Sequence, residues 1–169
     1  MDILPEIETR QSIRSFENKP LTKEIVERIL EAGRKAPSAK NRQPWRFVII
    51  DRQDLKEKIQ QAAFGQEYIS QAGIIIAGCS TNVDYRMPNG QLSHPVDISF
   101  SMSFMMLQAV REGLGTCIVT TFDEQEVKEL LTVPYSMKVV MLLAVGYAKE
   151  KPLPELRKSL KRITSFNHW

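Results

Sequence analysis

From Val96 to Gly113 the chain is apolar almost all round, with Ile98, Phe100, Met102, Phe104, Met105, Met106, Leu107, Ala109 and Val110 leaving no continuous polar stripe. A helix of that kind has to be covered on every side. It is therefore either the central helix of a domain or a helix that packs against a second chain. Its methionines read as packing groups, because flexible thioethers fill irregular gaps. Around it the apolar pattern predicts four strands, over Arg46–Ile50, Ile74–Cys79, Thr116–Thr121 and Lys138–Tyr147. Helices are predicted over residues 3–10, from Thr22 as N-cap to a stop at Pro37, through Leu55, Ile59 and Ala62, and from an Asp123 cap to Leu131. Strands and helices mixed in this order imply a layered sandwich around one sheet.

At 169 residues the chain can bury a core without staples, and no repeat or low-complexity linker divides it. The expectation is a single domain over 1–169, with 149–169 as a basic tail. That tail carries a net +4 and the rest of the chain −1. A second basic stretch, Arg34 to Arg46, contains no acids. Both are short and no nucleic-acid motif accompanies them, so a small anionic ligand or plain solvated surface fits better than nucleic acid. The longest apolar run, Val139 to Val145, is far below a membrane span. The N-terminus lacks the pattern of a signal peptide. Cys79 and Cys117 sit alone in apolar runs, outside metal or disulfide spacing. They read as buried thiols in a reducing compartment, which points to a cytoplasmic setting.

Several chemistries are excluded. There is no Gly-x-Gly-x-x-Gly after a strand and no Walker lysine loop. The two histidines, His94 and His168, have no acidic or thiol partner at ligand spacing, so no metal is expected. No serine lies in a nucleophile elbow. An organic redox cofactor remains, for which the protein supplies orientation and charge. Arg10, Ser12 and Arg14 alternate, so an extended segment projects them to one side. One guanidinium can then reach a phosphate while another stabilises the negative edge of a reduced flavin. The alternative is two surface arginines on a loop. Between Pro37 and Pro44, Ser38, Asn41 and Gln43 offer the donors and acceptors that a flavin pyrimidine edge requires, and two prolines stiffen the loop. The alternative there is a polar surface turn. Residues 80–95, with Tyr85, Arg86 and His94, form either a pocket wall or a surface loop.

At these residues the chain resembles the FMN-dependent nitroreductase family. Arg-x-Ser-x-Arg-x-Phe is matched by Arg10, Ser12, Arg14 and Phe16. Pro-Ser-x-x-Asn-x-Gln-Pro-Trp is matched by Pro37, Ser38, Asn41, Gln43, Pro44 and Trp45. Gly113-Leu114-Gly115-Thr116-Cys117, Phe122-Asp123-Glu124, Ala144-Val145-Gly146-Tyr147 and Arg157-Lys158-x-Leu160 follow in order. The resemblance implies an α+β, three-layer α/β/α sandwich with a mixed, mostly antiparallel central sheet. It further implies a homodimer with two FMN sites at the interface. Arg10, Gln11, Ser12 and Arg14 would come from one subunit, and Pro37, Ser38, Ala39, Asn41 and Gln43 from the other. Arg157 and Lys158 would return to the phosphate, main-chain donors at Thr120 and Thr121 would meet the ring, and the apolar helix would form the dimer core. NADH or NADPH would reduce the flavin, and a nitroaromatic or quinone would reoxidise it. The resemblance equally covers specialised relatives of dehalogenase or flavin-fragmenting type, and a non-catalytic FMN-binding dimer is a further alternative. Gln11 stands where a second basic residue is common, Ala39 where a second serine is, and Ile118 where many relatives have tryptophan.

Overall fold

Every residue of Ile74–Ser80 is buried, which a strand achieves only when both faces of its sheet are covered. The computed structural model describes residues 3–150, 152, 153 and 155–169. In chain order they form α1 (Pro5–Thr9), α2 (Lys23–Arg34), a 3-10 turn (Ala39–Asn41), β1 (Trp45–Ile50), α3 (Gln53–Ala62), α4 (Tyr68–Gln71) and β2 (Ile74–Ser80). These are followed by α5 (Ser93–Arg111), β3 (Gly115–Val119), α6 (Glu124–Leu131), β4 (Lys138–Gly146) and α7 (Leu160–Ile163). The strand order is β1-β2-β4-β3, with every neighbouring pair antiparallel. Among the described residues, parallel pairing is confined to an isolated bridge between Ser12 and Thr116.

The two faces of the sheet carry separate cores. Ile75, Ala77, Cys79, Leu142 and Ala144 pack with Ile59 of α3, Ile69 of α4 and Val127 of α6. The alternate residues Ile74, Ile76, Leu143 and Val145 pack with Ile29 of α2 and with Ile98, Met102, Met105 and Ala109 of α5. Helices thus lie on both sides of one sheet, giving the expected three layers. A bulge between Gly78 and Cys79 shifts the register, so that Val139 and Leu142 share one core.

Helix α5 starts at Ser93, three residues before the apolar run, because Pro95 sits in the first turn where its missing N–H costs no hydrogen bond. The third strand ends at Val119, since Thr120 and Thr121 already turn toward the α6 cap. That cap is as predicted, with Asp123 Oδ1 accepting the Glu126 N–H at 2.9 Å. Thr22 holds the N-cap position of α2, but its hydroxyl caps no helix N–H.

Helix α2 closes on α5 at Gly33, where a Cβ would collide with the Met105 side chain. At the other end of the contact, Arg28 Nε and Nη2 donate to both carboxylate oxygens of Glu112 at 2.8 and 2.7 Å. Gln108 Nε2 adds a bond at 2.8 Å. The Arg28 hydrogen bond is the main cause that holds the Glu112 carboxyl down at about 2, against an ordinary 4.5. A depressed carboxyl stabilises the fold above its unfolded value and loses that contribution as pH falls through its folded one. Glu112→Gln is therefore expected to melt a few degrees below the native chain at pH 7. The gap should close between pH 4.5 and about 2. Thermal unfolding across that range checks this, and an equal gap at both ends would sink it.

Candidate functional site

Leaving α1, residues 10–16 run onto the outer edge of β3. The Ile13 N–H donates to the Thr116 carbonyl at 2.8 Å, and the Glu17 N–H donates to that of Tyr147 at 2.9 Å. Ile13 and Phe16 are buried and seat on two glycines that face each other across the β3–β4 ladder, Gly115 and Gly146. This seating leaves Ser12 half-buried and Arg14 exposed. Arg10 and Gln11 line a cavity of about 500 Å³ together with Ile3, Ile7, Glu8, Glu155 and Arg157. Arg157 and Arg10, 147 positions apart, thus meet at one site, with Glu155 pairing Arg157 at 3.2 Å. Lys158, next to Arg157 in sequence, is exposed. Gln11 also lines a neighbouring cavity with Ile13 and Gly115. Thr120 and Thr121 are exposed in the turn after β3, where the Thr121 carbonyl accepts Gln66 Nε2 at 3.0 Å.

Both cysteines are free and buried. Burial pushes the Cys79 thiol up to about 11. It also raises the Cys117 thiol, against the opposing pull of Arg14 and Tyr68. Neither thiol is set up as a nucleophile.

The second set of residues is the loop before β1. Lys40, Asn41 and Gln43 all have φ near +50°, a left-handed conformation that non-glycine residues adopt at a cost. Local bonds hold it. Gln43 N–H donates to Ser38 Oγ at 2.9 Å, and Gln43 Nε2 donates to Asn41 O and Oδ1 at 3.2 and 3.1 Å. Thr81 ties down the far end, its N–H and Oγ1 donating to the Pro44 carbonyl at 2.8 and 3.1 Å. Ala39 N–H donates to Asp97 Oδ1 of α5 at 2.8 Å. Within the loop, the Arg42 guanidinium stacks 3.7 Å from the Tyr85 ring centre. The 80–95 region therefore packs against this loop through Tyr85, while His94 is buried in the first turn of α5. Among the described residues, Asn41 Nδ2 and Gln43 Oε1 take no hydrogen-bond partner, so a donor and an acceptor face outward.

The sequence pattern did not single out Asp97. A signal was present, because it is the one charged residue between Val96 and Val110.

The two sets stand at opposite corners of the sheet. Ser12 borders β3 at the level of Val145 and Ile74, whereas the loop enters β1 at Trp45, level with Ser80. Four strand spacings and the length of β1 put them about 25 Å apart. Helix α5 joins the corners. Asp97 touches the loop near its N-terminus, and Arg111 pairs with Glu6 of α1 at 3.6 Å near its C-terminus. Between them Phe100 and Phe104, 47% and 39% exposed, present an uncovered apolar face. The tail is uncovered as well, with Leu153, Leu156, Leu160, Ile163, Phe166 and Trp169 all exposed. Among the described residues, no helix is long and apolar enough to cross a membrane.

The nitroreductase family profile matches the chain in two segments, residues 7–72 and 65–147. An NADH dehydrogenase of Thermus thermophilus is 26% identical over 91% of this chain and 90% of its own length. A 5,6-dimethylbenzimidazole synthase of Rhodospirillum rubrum is 29% identical over 88% of this chain and 83% of its own. The crystal structure of a nitroreductase family protein from Clostridium difficile superposes with a TM-score of 0.88 at 27% identity, covering 100% of both chains. By the residues matched and by its fold, the chain belongs to the nitroreductase family.

Proposed function

We propose that the protein is an FMN-dependent NAD(P)H oxidoreductase acting on electron-poor acceptors such as nitroaromatics or quinones, and that it works as a homodimer. The observation that carries this reading is the placement of two polar half-sites at opposite ends of one helix with an uncovered apolar face. A two-fold axis through that face sets two copies of α5 antiparallel, and each loop of one copy then lies beside residues 10–14 of the other. The bound FMN would supply the chemistry, taking a hydride from NADH or NADPH and passing electrons to the acceptor after the nicotinamide has left. The residues fit such a ligand. Arg10 and Arg157 line one cavity together with Glu8 and Glu155, so a phosphate there would take Arg157 from Glu155, and Lys158 adjoins Arg157 in sequence. The outward donor of Asn41 and acceptor of Gln43 suit the pyrimidine edge, and Ser12 and Arg14 approach it from the partner copy. Ser38 shapes the loop, Pro37 and Ala39 form its entry, and Thr120 and Thr121 supply main-chain groups near the ring. Two buried, unpaired thiols support a reducing, cytoplasmic setting.

A visible spectrum of the purified protein under nitrogen, before and after NADPH and then NADH, tests this. A yellow spectrum that bleaches with either donor supports the reading. A flavin that stays oxidised favours a specialised relative reduced by its own partner, or a non-catalytic FMN-binding dimer. A colourless protein that takes up no FMN overturns it. The double variant Arg157→Ala with Lys158→Ala is expected to weaken FMN about tenfold or more and riboflavin little, since only FMN carries the phosphate. Fluorescence titration with both ligands reads this out, and equal losses would remove the phosphate role.

A further inference from the structure

We infer that Asp97 is a positioning residue, which fixes the left-handed Pro37–Gln43 loop from the buried side of α5 and thereby sets the affinity of the site for the flavin ring without touching it. The inference rests on the flavin reading given above. Asp97 is 2% exposed and is the one charged residue in the apolar stretch of α5. Only Oδ1 is engaged, by the Ala39 N–H at 2.8 Å, while Oδ2 is buried with no protein partner. A half-satisfied buried carboxyl is costly, and a helix needing only to pack would be better served by an apolar side chain. The compensating gain therefore lies in what the carboxyl holds.

It holds the entry of the loop. Ala39 immediately precedes Lys40, the first of three non-glycine residues with φ near +50°. Such a backbone persists only when its surroundings over-determine it. One turn further along α5, Ser101 Oγ donates to the Gly33 carbonyl at 2.9 Å and is fully buried. Asp97 and Ser101 lie four residues apart on one helix face. They grip the two ends of residues 33–39, the span leading from α2 into the loop. On the far side Arg42 leans on Tyr85 and Thr81 holds Pro44. The loop is thus clamped at both ends, and its entry clamp belongs to the helix whose exposed face is the proposed dimer contact.

The test compares the native chain with Asp97→Ala and Asp97→Asn, the latter keeping an amide oxygen that can accept the Ala39 N–H. Three readouts are taken: FMN affinity by fluorescence titration, the visible band shape of bound flavin, and amide hydrogen exchange of residues 38–43 without added flavin. D97A is expected to bind FMN at least tenfold more weakly, with an altered band and at least tenfold faster loop exchange. D97N is expected to lie within about threefold of native in all three. Native-like loop exchange in D97A overturns the inference. So does fast exchange with unchanged FMN affinity, which would cut the link to the ring, and so does D97N matching D97A. Should D97A not fold, D97N and the matching exchange of Ser101→Ala decide, with native-like loop exchange in Ser101→Ala counting against the clamp. A native chain that binds no FMN defeats the flavin reading, and loop exchange alone then decides whether Asp97 holds the loop.

Discussion

Phe100→Glu combined with Phe104→Glu is expected to leave a folded single chain that has lost FMN binding by about two orders of magnitude. Both rings are more than a third exposed in the chain, so replacing them empties no core position. Ile98, Met102, Met105 and Ala109, which anchor α5 against the sheet, are untouched. The new charges stand where the dimer contact is proposed, and two copies would bring four carboxylates into an apolar seam, where unpaired ions are costly. Loss of the seam separates the loop of one copy from residues 10–14 of the other, because one chain keeps them about 25 Å apart. Sedimentation velocity, circular dichroism and FMN titration on the same sample check the expectation. A variant that still sediments as a pair and still binds FMN would sink the symmetric arrangement.

The second large effect is expected at Gly115. A Cβ there would come within 2.6 Å of Ile13 Cγ1 and 2.9 Å of Ile13 Cβ. The second contact lies close to the Ile13 backbone, so a rotamer change cannot relieve it. Gly115→Ala should therefore lift residues 12–14 from β3 and destabilise the chain by about 1–3 kcal/mol. Because Ser12 and Arg14 flank the displaced residue, flavin affinity should fall with stability. Adding Ile13→Ala vacates the space and should recover part of the stability, a coupling that a double-mutant cycle measures. A single Gly115→Ala variant as stable as the native chain would show that the segment yields freely, and the seat on Gly115 and Gly146 would then position nothing.

The fold was largely legible in the sequence. The four strands and the long helix rest on apolar runs that tertiary packing reinforces, and Asp123 announces its own helix. The single-turn α4 and α7 escaped because four residues are too few for a 3.6-residue period to register. Ser93–Pro95 read as loop because proline breaks a helix interior, although it suits a first turn. At the candidate site the residue types were legible and their geometry was not. Left-handed backbone is signalled by glycine, and here Lys40, Asn41 and Gln43 adopt it. The Ala39–Asp97 bond spans 58 residues, and the Arg10–Arg157 cavity joins the first turn to the tail, so no local pattern records either.

In the proposed pair, helix α5 with one half-site at each end would make cofactor capture a property of concentration. A single copy would offer each ligand half of its contacts, so occupancy would scale with the population of pairs and the flavin would in turn stabilise the pair by mass action. Dilution would release pigment and subunits together, and scarce flavin would leave newly made chains as separate, colourless halves. Every substitution on the exposed face of α5 would then be felt at two sites at once.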